Sequence, residues 1–518
     1  MRTAYSVETV RNAERELMER LPEGALMQRA AAGLAAACAD LLGRAPGRVY
    51  GARVVLLVGA GDNGGDALYA GARLARRGAG VTAVLVDARQ RAHPGGLAAL
   101  MAAGGRVVTG PHEVHEVHEV HEGHGTGADG PAAPLAHAGG GTGSAAYVAL
   151  HRAHLVMDAI TGIGGRGGLR PEAVPLVRAA EASGAVLVAV DLPSGVDADS
   201  GRVDGACVRA DVTVTFGAYK PGLLIDPAKE RAGALRFVDL GLETAGTPAD
   251  LEALQHADVA ALLPVPAAES DKYRRGVVGV VAGSARYPGA AVLAVAGALH
   301  GGAGAVRYVG QGGDAVLARF PEVLVSGGAP ADAGRVQSWV IGPGLDDRVK
   351  DARADVLASD VPVLLDADAL AGLDPQEVRG RSAPTVLTPH AGEAARLLGV
   401  ERAEVESGRL DSVRKLAVKY GATVLLKGST TLVAPPDGGR PVRVNPTGTG
   451  WLATAGSGDV LSGLVGSLLA AGLAAVDAAS VGAYLHGLAG RSAARGAPVG
   501  AGDVAGAVAG AWRGVGRG

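Results

Sequence analysis

The feature that most constrains the fold is a recurring succession of short apolar runs, each followed by glycine or polar residues and then by helical sequence. Such runs are typical of parallel strands that are buried on both faces. In the first half of the chain they occupy 53–58, 81–86, 155–157, 186–190 and 212–216. Helices are expected over 6–43 and 66–77. This alternation of strands and helices predicts a doubly wound α/β domain with a parallel sheet.

The same pattern starts again after a change of composition near 241–256. Further strand-like runs are found at 277–282, 338–341, 361–365, 385–387 and 423–426. We therefore predict two α/β domains, 1–240 and 256–518, joined by a linker at 241–255.

Composition excludes several classes of function. The net charge is -3 and aromatic residues make up 3% of the chain, which argues against a nucleic-acid partner. The two cysteines, Cys38 and Cys207, lack the spacing of a zinc site or a disulfide framework and fit a cytoplasmic protein. Glutamates near the N-terminus do not suit a signal peptide. The apolar stretch 460–476 is expected to be a buried core helix, so no membrane partner is predicted. A homo-oligomer is left open.

A low-complexity tract at 112–124 has a histidine at every third residue, and glycine-rich sequence follows it to residue 143. Imidazoles could bind zinc or nickel. The favoured interpretation is a solvated surface insertion, because a period of three does not align the histidines on one helix face.

Three loops of the first domain carry polar residues just after predicted strands. They are the glycine-rich stretch 59–66, the loop that begins at Asp158 and the loop that begins at Asp191. Ligands of open parallel sheets bind beyond the carboxyl ends of the strands, so these loops are expected to meet in one crevice. Asn63, Asp158 and Ser194 offer oxygen ligands to a hard cation, and Asp191 could move a proton. The alternative is that each aspartate only caps a helix or a turn.

Residues 6–240 resemble the epimerase domain of NAD(P)H-hydrate repair enzymes, which has a Rossmann-like three-layer fold. The resemblance is carried by the stretches 23–27, 63–66, 158–162, 191–195 and 216–222. It implies interconversion of the R and S epimers of hydrated NADH and NADPH, with potassium at Asn63, Asp158 and Ser194. The substrate-binding residues that it implies are Asn63, Gly64, Gly65, Asp66, Gly162, Ile163, Gly164, Gly165, Arg166, Gly167, Gly168 and Asp191.

The second domain contains a long stretch of small residues, 447–458, that leads into Asp459 and an apolar helix. Backbone N–H groups of such a loop can wrap a phosphate, and the helix directs its positive end toward it. Asp459 could accept a proton from a hydroxyl that attacks phosphorus. Lys427 could hold nucleotide phosphates and His390 could contact substrate. The alternatives are a helix-start acid, an exposed lysine and a loop-capping histidine.

Residues 272–510 resemble the dehydratase domain of the same repair enzymes, which has a ribokinase-like fold. The stretches that match are 447–461, 341–345, 388–393 and 427–431. The resemblance implies that the S hydrate is dehydrated with ADP in bacterial members or ATP in eukaryotic ones, accompanied by magnesium. Hydrate contacts are implied at Ala290, Gly344, His390 and Asp459, and nucleotide contacts at Lys427, Gly428, Ser429, Thr430, Thr431 and Gly458.

We therefore predict a bifunctional enzyme that epimerises NAD(P)H hydrates and dehydrates the S epimer, with Asp191 and Asp459 as catalytic residues. One alternative is a ribokinase-type small-molecule kinase with a non-catalytic N-terminal nucleotide-binding module. Another is a first domain that only binds ligand, in which Asp62, beside Asn63, marks lost catalysis.

Overall fold

The computed structural model describes residues 1–87, 89–110, 145–244, 246–346, 349–437 and 441–516. The histidine tract at 112–124, with its predicted surface role, lies outside the described residues. The described chain forms two β-sheets, each covered by helices on both faces. It begins with a three-residue strand, β1 (Arg2–Ala4), that belongs to the second sheet.

The first sheet has seven described strands, all parallel to their neighbours. They are β2 (Arg53–Val58), β3 (Gly80–Leu85), β4 (Arg106–Thr109), β5 (Leu155–Ala159), β6 (Val186–Val190), β7 (Val212–Phe216) and β8 (Ala234–Val238). Their order is β4-β3-β2-β5-β6-β7-β8. From β2 the chain proceeds to one edge of the sheet through β3 and β4, and from β5 it proceeds to the other edge. The strand order therefore reverses between β2 and β5. A ligand site is expected outside their carboxyl ends.

The helices of this domain form the outer layers. They are α1 (Val7–Met18), α2 (Ala25–Arg44), α3 (Asp62–Arg76), α4 (Pro94–Ala102), α5 (Ala145–His151), α6 (Val174–Ala182) and α7 (Lys229–Ala232). One core lies between the sheet and α2, α3 and α4, and the other between the sheet and α5 and α6. The predicted helix over 6–43 is two helices, because the chain turns at Pro22 and at Gly24, whose φ is +74°.

The second sheet has eleven described strands, including β1. The others are β9 (Leu251–Ala253), β10 (Val277–Val281), β11 (Ala305–Val309), β12 (Leu324–Ser326), β13 (Ser338–Ile341), β14 (Val363–Leu365), β15 (Thr385–Leu387), β16 (Thr423–Leu426), β17 (Thr431–Ala434) and β18 (Val442–Asn445). Their order, β1-β9-β18-β17-β16-β15-β14-β13-β10-β11-β12, reverses between β10 and β13. The strands β10 to β16 are parallel to one another, whereas β16 pairs antiparallel with β17.

Two helical layers cover this second sheet. The helices are α8 (His256–Leu262), α9 (Lys272–Arg275), α10 (Pro288–His300), α11 (Gly313–Arg319), α12 (Val349–Leu357), α13 (Pro375–Arg379), α14 (Ala391–Leu398), α15 (Arg402–Ser407), α16 (Arg409–Tyr420), α17 (Ser457–Ala470), α18 (Ala475–Ala494) and α19 (Ala501–Val515). The predicted fold class is confirmed: both halves are doubly wound α/β domains.

The two ends of the first domain are tied into the second sheet. β1 pairs antiparallel with β9, and β9 lies within the stretch that the sequence predicted as a linker. The N-terminal amine also lies 2.7 Å from Asp258 Oδ2. Residues 2–4 and 251–253 therefore belong to the second sheet, which differs from the predicted boundaries. Strands of three residues carry too little periodicity to be recognised from sequence.

The apolar stretch at 460–476 is divided between two helices, α17 and α18, and α17 is almost wholly buried. It is a core helix, as predicted. Within the described residues, one helix, α2, is long and apolar enough to cross a membrane by length and composition, and it packs against α3 and the first sheet.

Candidate active sites

A cleft of about 1600 Å³ opens at the carboxyl ends of β2, β5 and β6, where the strand order of the first sheet reverses. Its lining includes Asn63, Asp66 and Asp191 and the whole of the loop 162–168. Most of the predicted epimerase residues therefore meet at one place. Gly64 and Gly65 lie within α3 and do not line the cleft. A Cβ at Gly64 would collide with the carbonyl oxygen of Gly59, so close packing requires glycine there.

Asn63 joins two strand ends beneath the cleft. Its Nδ2 donates to the carbonyl oxygens of Thr161, at 3.1 Å, and Val190, at 2.6 Å. A Cβ on Gly162 would lie 2.5 Å from Asn63 Oδ1. Because Gly162 has no side chain, the Asn63 amide can occupy this position.

Asp158 and Ser194 lie together beneath the floor of the cleft. Ser194 donates to Asp158 twice, from its amide at 2.8 Å and from its hydroxyl at 2.6 Å. Burial raises the pKa of Asp158 to about 6, and no ion pair reaches this carboxylate within the described part of the chain. A buried carboxylate without a cationic partner, beside hydroxyl and amide oxygens, fits a hard monovalent cation in chemistry and charge.

Asp191 adopts a φ of +65°, which is uncommon for a residue other than glycine. Its Oδ1 accepts hydrogen bonds from Lys220 Nζ at 2.5 Å, Thr215 Oγ1 at 3.0 Å and the amide of Phe216 at 3.1 Å. Lys220 is almost completely buried. No described residue donates to Oδ2, so that oxygen is left for a ligand in the cleft.

Two further carboxyl groups of the cleft have perturbed acidity. Burial, followed by the charges of Asp191 and Asp62, raises the pKa of Asp66 well above its ordinary value. Burial also raises the pKa of Glu14 on α1, which lines the same cleft. These two acids lie near the Asp191–Lys220 pair, in a cleft whose lining also includes five arginines, so protonatable groups of both signs surround a ligand there.

The second site is built around the start of α17. Gly456, with a φ of +84°, precedes the helix, and Asp459 lies in its first turn. Burial and the nearby charge of Asp366 raise the pKa of Asp459 to about 7, although Lys427 opposes the shift. A carboxyl group with that pKa can accept and release a proton at neutral pH.

Lys427 follows β16 and lies at the centre of this site. Its Nζ is 2.6 Å from Asp366 Oδ1 and 3.8 Å from Glu393 Oε2. Burial lowers the pKa of Lys427, but the two carboxylates outweigh burial and raise it overall. Asp366 also accepts from Ser462 Oγ on α17 at 2.7 Å. A Cβ on Gly458 would lie 3.4 Å from Lys427 Nζ, so Gly458 and Lys427 are neighbours.

His390 forms the N-cap of α14. Its Nδ1 accepts from the amides of Gly392 and Glu393, and Glu393 Oε2 accepts from the amide of His390 at 2.7 Å. Burial lowers the pKa of His390, so the ring is neutral at neutral pH. His390 therefore has the capping role that the sequence analysis gave as the alternative. Its side chain is 54% exposed, so the ring is also accessible to a ligand.

Ala290 and Gly344 face each other where the strand order of the second sheet reverses. Gly344 has a φ of +63°, and a Cβ there would lie 2.6 Å from the Ala290 Cβ. The two predicted hydrate contacts are therefore adjacent, Ala290 in the first turn of α10, which follows β10, and Gly344 in the loop after β13.

Two families of known sequences match the chain. The family described as YjeF-related protein N-terminus matches residues 23–222, and the family described as NAD(P)H-hydrate dehydratase matches residues 278–504. The bifunctional NAD(P)H-hydrate repair enzyme Nnr of Mycobacterium leprae is 46% identical over 490 residues, which cover 94% of this chain and 93% of that protein. The chain belongs to the family of bifunctional NAD(P)H-hydrate repair enzymes.

A second relative and a solved structure are also similar to this chain. Nnr of Mycobacterium tuberculosis strain H37Rv is 46% identical, over 93% of this chain and 92% of its own length. Among solved structures, the ADP/ATP-dependent NAD(P)H-hydrate dehydratase of Bacillus subtilis, crystallised with ATP and Mg²⁺, is 31% identical. It covers 50% of this chain and 97% of its own, with a TM-score of 0.47.

In both sites, the structure shows residues that the sequence analysis did not select. Lys220 and Glu14 join the first site, and Asp366 and Glu393 join the second. Lys220 lies within the matched stretch 216–222, and Asp366 directly follows the strand-like run 361–365. A lysine in an apolar segment at a strand end needs a carboxylate partner when it is buried. This requirement could have identified Lys220 from the sequence.

Proposed function

We propose that this chain returns hydrated NADH and NADPH to the functional cofactors by two reactions. The N-terminal domain, 1–240, interconverts the R and S hydrates. The C-terminal domain, 256–518, dehydrates the S hydrate at the expense of ADP. The observation that carries the proposal is Asp459, whose pKa is about 7, at the start of α17 beside the Lys427–Asp366 pair.

In the dehydratase site, Asp459 accepts the proton of the C6 hydroxyl while the hydroxyl oxygen attacks the terminal phosphorus of ADP. AMP leaves as the new P–O bond forms. The C6–O bond then breaks with assistance from the ring nitrogen, and the departing phosphate takes the C5 proton, which restores the ring double bond. Backbone N–H groups at 456–458 hold the transferring charge. Lys427, with Gly428, Ser429, Thr430, Thr431 and Gly458, binds the nucleotide. Ala290, Gly344 and His390 contact the hydrate.

Magnesium supplies charge neutralisation to the nucleotide phosphates when it is bound. Asp368 would offer this ion a carboxylate oxygen beside the phosphates, while Asp459 stays free to act as the base. Burial raises the pKa of Asp368, with Glu393 and Asp366 contributing, which is consistent with an acidic site that a cation would complete.

In the epimerase cleft, Asp191 moves the proton. The C6 hydroxyl takes a proton from Asp66, whose raised pKa keeps it protonated, and leaves as water with assistance from the ring nitrogen. When water adds to the opposite face of the planar carbon, ionised Asp191 accepts the released proton and returns it to Asp66. Lys220 holds Oδ1 of Asp191, so that Oδ2 exchanges the proton. Asn63–Asp66 and the loop 162–168 surround the substrate. Asn63, Asp158 and Ser194 would hold potassium, which would supply positive charge to offset the Asp158 carboxylate.

We place this activity in the cytoplasm, where its cofactor substrates are repaired. Cys38 and Cys207 are both free and buried, which suits a reducing compartment.

The dehydratase assignment is tested with purified S hydrate, Mg²⁺, and ADP, ATP or no nucleotide, by following the return of dihydronicotinamide absorbance. We expect recovery only with nucleotide, and none with Asp459→Asn. Asp477→Asn, which removes an acid from the start of α18, is the matched control and should retain full activity. Recovery without nucleotide, or undiminished recovery with Asp459→Asn, would refute the assignment.

The kinase alternative shares the phosphate loop and differs in the product. A ribokinase-type kinase would leave a stable phosphorylated alcohol, whereas the dehydratase releases inorganic phosphate and AMP from ADP. Phosphate release in step with recovered dihydronicotinamide therefore separates the two reactions.

A further inference from the structure

The turn at 427–431, which carries the proposed nucleotide contacts, is held from two sides. From the second domain, Arg409 on α16 donates through one nitrogen to the carbonyl oxygens of Lys427, at 3.2 Å, and Thr430, at 2.9 Å. Both contacts hold the backbone of the turn. Neither contact reaches the side chain of Ser429, which lies at the tip of the turn.

Support for Ser429 comes from the first domain. Its hydroxyl donates to Asp226 Oδ2 at 2.5 Å, and no other described residue hydrogen-bonds this hydroxyl. Asp226 is only 7% exposed. It follows Leu224 and Ile225, which are buried in the core of the second domain, so packing on both residues positions the carboxylate that comes after them.

The same segment of the first domain begins at its own active site. Lys220, which pairs with Asp191, is followed by a short 3-10 turn, Pro221–Leu223, and then by the two apolar anchors. Asp226 therefore belongs to a rigid connection between the epimerase cleft and the nucleotide turn.

A hydroxyl has one proton to donate. With that proton given to Asp226, the side chain of Ser429 has a fixed direction, and the amides of the turn keep one orientation toward an anion. Without Asp226, the tip of the turn would lose the one side-chain hydrogen bond that the described residues give to Ser429. Thr430 Oγ1 and Arg409 Nε are buried without a hydrogen-bond partner among the described atoms, so neither of them holds the turn in this structure.

We infer that Asp226 of the N-terminal domain is a positioning residue for the nucleotide turn of the C-terminal dehydratase. This inference rests on the proposed function, because it assumes that 427–431 binds the nucleotide. Its consequence is that the dehydratase site is completed by the other domain of the same chain.

The test is calorimetric titration of the full chain with Mg·ADP, together with the KM for ADP in the dehydratase assay. Asp226→Ala should weaken ADP binding by about tenfold, while kcat at saturating ADP stays within about twofold. Asp226→Asn keeps an acceptor for the hydroxyl and should lie between Asp226→Ala and the unmodified chain. Ser429→Ala removes the donor of the same hydrogen bond and should weaken ADP binding by a similar factor. The double variant should bind ADP no more weakly than either single variant.

Two controls separate this effect from a general one. Arg202→Gln removes another contact between the domains, the 3.5 Å ion pair with Asp411, and Glu230→Gln removes an exposed acid from the same domain. Both should bind ADP as the unmodified chain does. Equal weakening by Arg202→Gln, or unchanged binding by Asp226→Ala and Ser429→Ala, would overturn the inference alone. Failure of the unmodified chain to bind ADP would overturn both the inference and the proposed function.

Discussion

Lys220 Nζ lies 2.5 Å from Asp191 Oδ1, and both side chains are more than nine-tenths buried. Removing one partner of such a pair leaves the other charge buried and unpaired, which destabilises a domain by about 3–5 kcal/mol. Lys220→Met should therefore lower the unfolding free energy by that order and abolish epimerisation. Denaturant unfolding and an epimer-exchange assay measure the two effects. Lys229→Met, at a partly exposed lysine nearby, is the control; equal effects of both substitutions would contradict the assigned role.

The pH dependence of dehydration follows from Asp459, whose pKa of about 7 is well above that of an ordinary aspartate. The base must be ionised, so the rate should fall about tenfold for each pH unit below 7 and level off above it. The kcat profile at saturating ADP and hydrate measures this. A profile that is flat between pH 5.5 and 8, or one that falls as the pH rises through about 7, would show that another group accepts the proton.

Gly162 leaves room for the Asn63 amide, because a Cβ there would lie 2.5 Å from Asn63 Oδ1. Gly162→Ala should displace Asn63 and reduce epimerisation by at least about tenfold, while dehydration of the S hydrate is unchanged. Gly43→Ala, on α2, where a Cβ meets no atom within 4 Å, should affect neither reaction. Normal epimerisation by Gly162→Ala would mean that the position of Asn63 is unimportant.

Potassium should stabilise the first domain. At ten times its Kd, a bound ion adds about 1.4 kcal/mol, which raises the Tm of a domain of this size by about 3–6 °C. Choline chloride at equal ionic strength is the control, because carboxylate, hydroxyl and amide oxygens do not ligate a bulky quaternary ammonium ion as they ligate K⁺. Asp158→Asn removes the only carboxylate of the proposed set and should abolish the shift. A K⁺ shift that persists in Asp158→Asn would place the ion elsewhere.

Much of the fold was predictable because buried parallel strands are continuous apolar runs. The predicted runs 53–58, 186–190, 212–216, 338–341, 385–387 and 423–426 coincide with β2, β6, β7, β13, β15 and β16. Asn63, Asp191 and Lys427 follow three of these strands, β2, β6 and β16, as predicted, whereas Asp158 lies within β5 and Asp459 in the first turn of α17.

The parts that sequence reasoning missed depend on contacts between distant segments. The pairing of β1 with β9 joins residues about 250 positions apart, and neither strand has enough residues for a periodic pattern. The partners of Asp191 and Lys427 have the same origin, since Lys220 and Asp366 reach them only through the folded sheets. Asp226 looks like an ordinary turn acid until the two domains are seen in contact.

The most direct test of bifunctionality is one time course with the full chain. An equilibrium mixture of R and S NADH hydrates is incubated with ADP and Mg²⁺, and dihydronicotinamide absorbance is followed to its end point. We predict complete recovery from both epimers, faster than spontaneous epimerisation allows, and with Asp191→Asn a plateau at the S fraction followed only by the slow spontaneous rise. A plateau at the S fraction with the unmodified chain would contradict the epimerase, and no recovery would contradict the account as a whole.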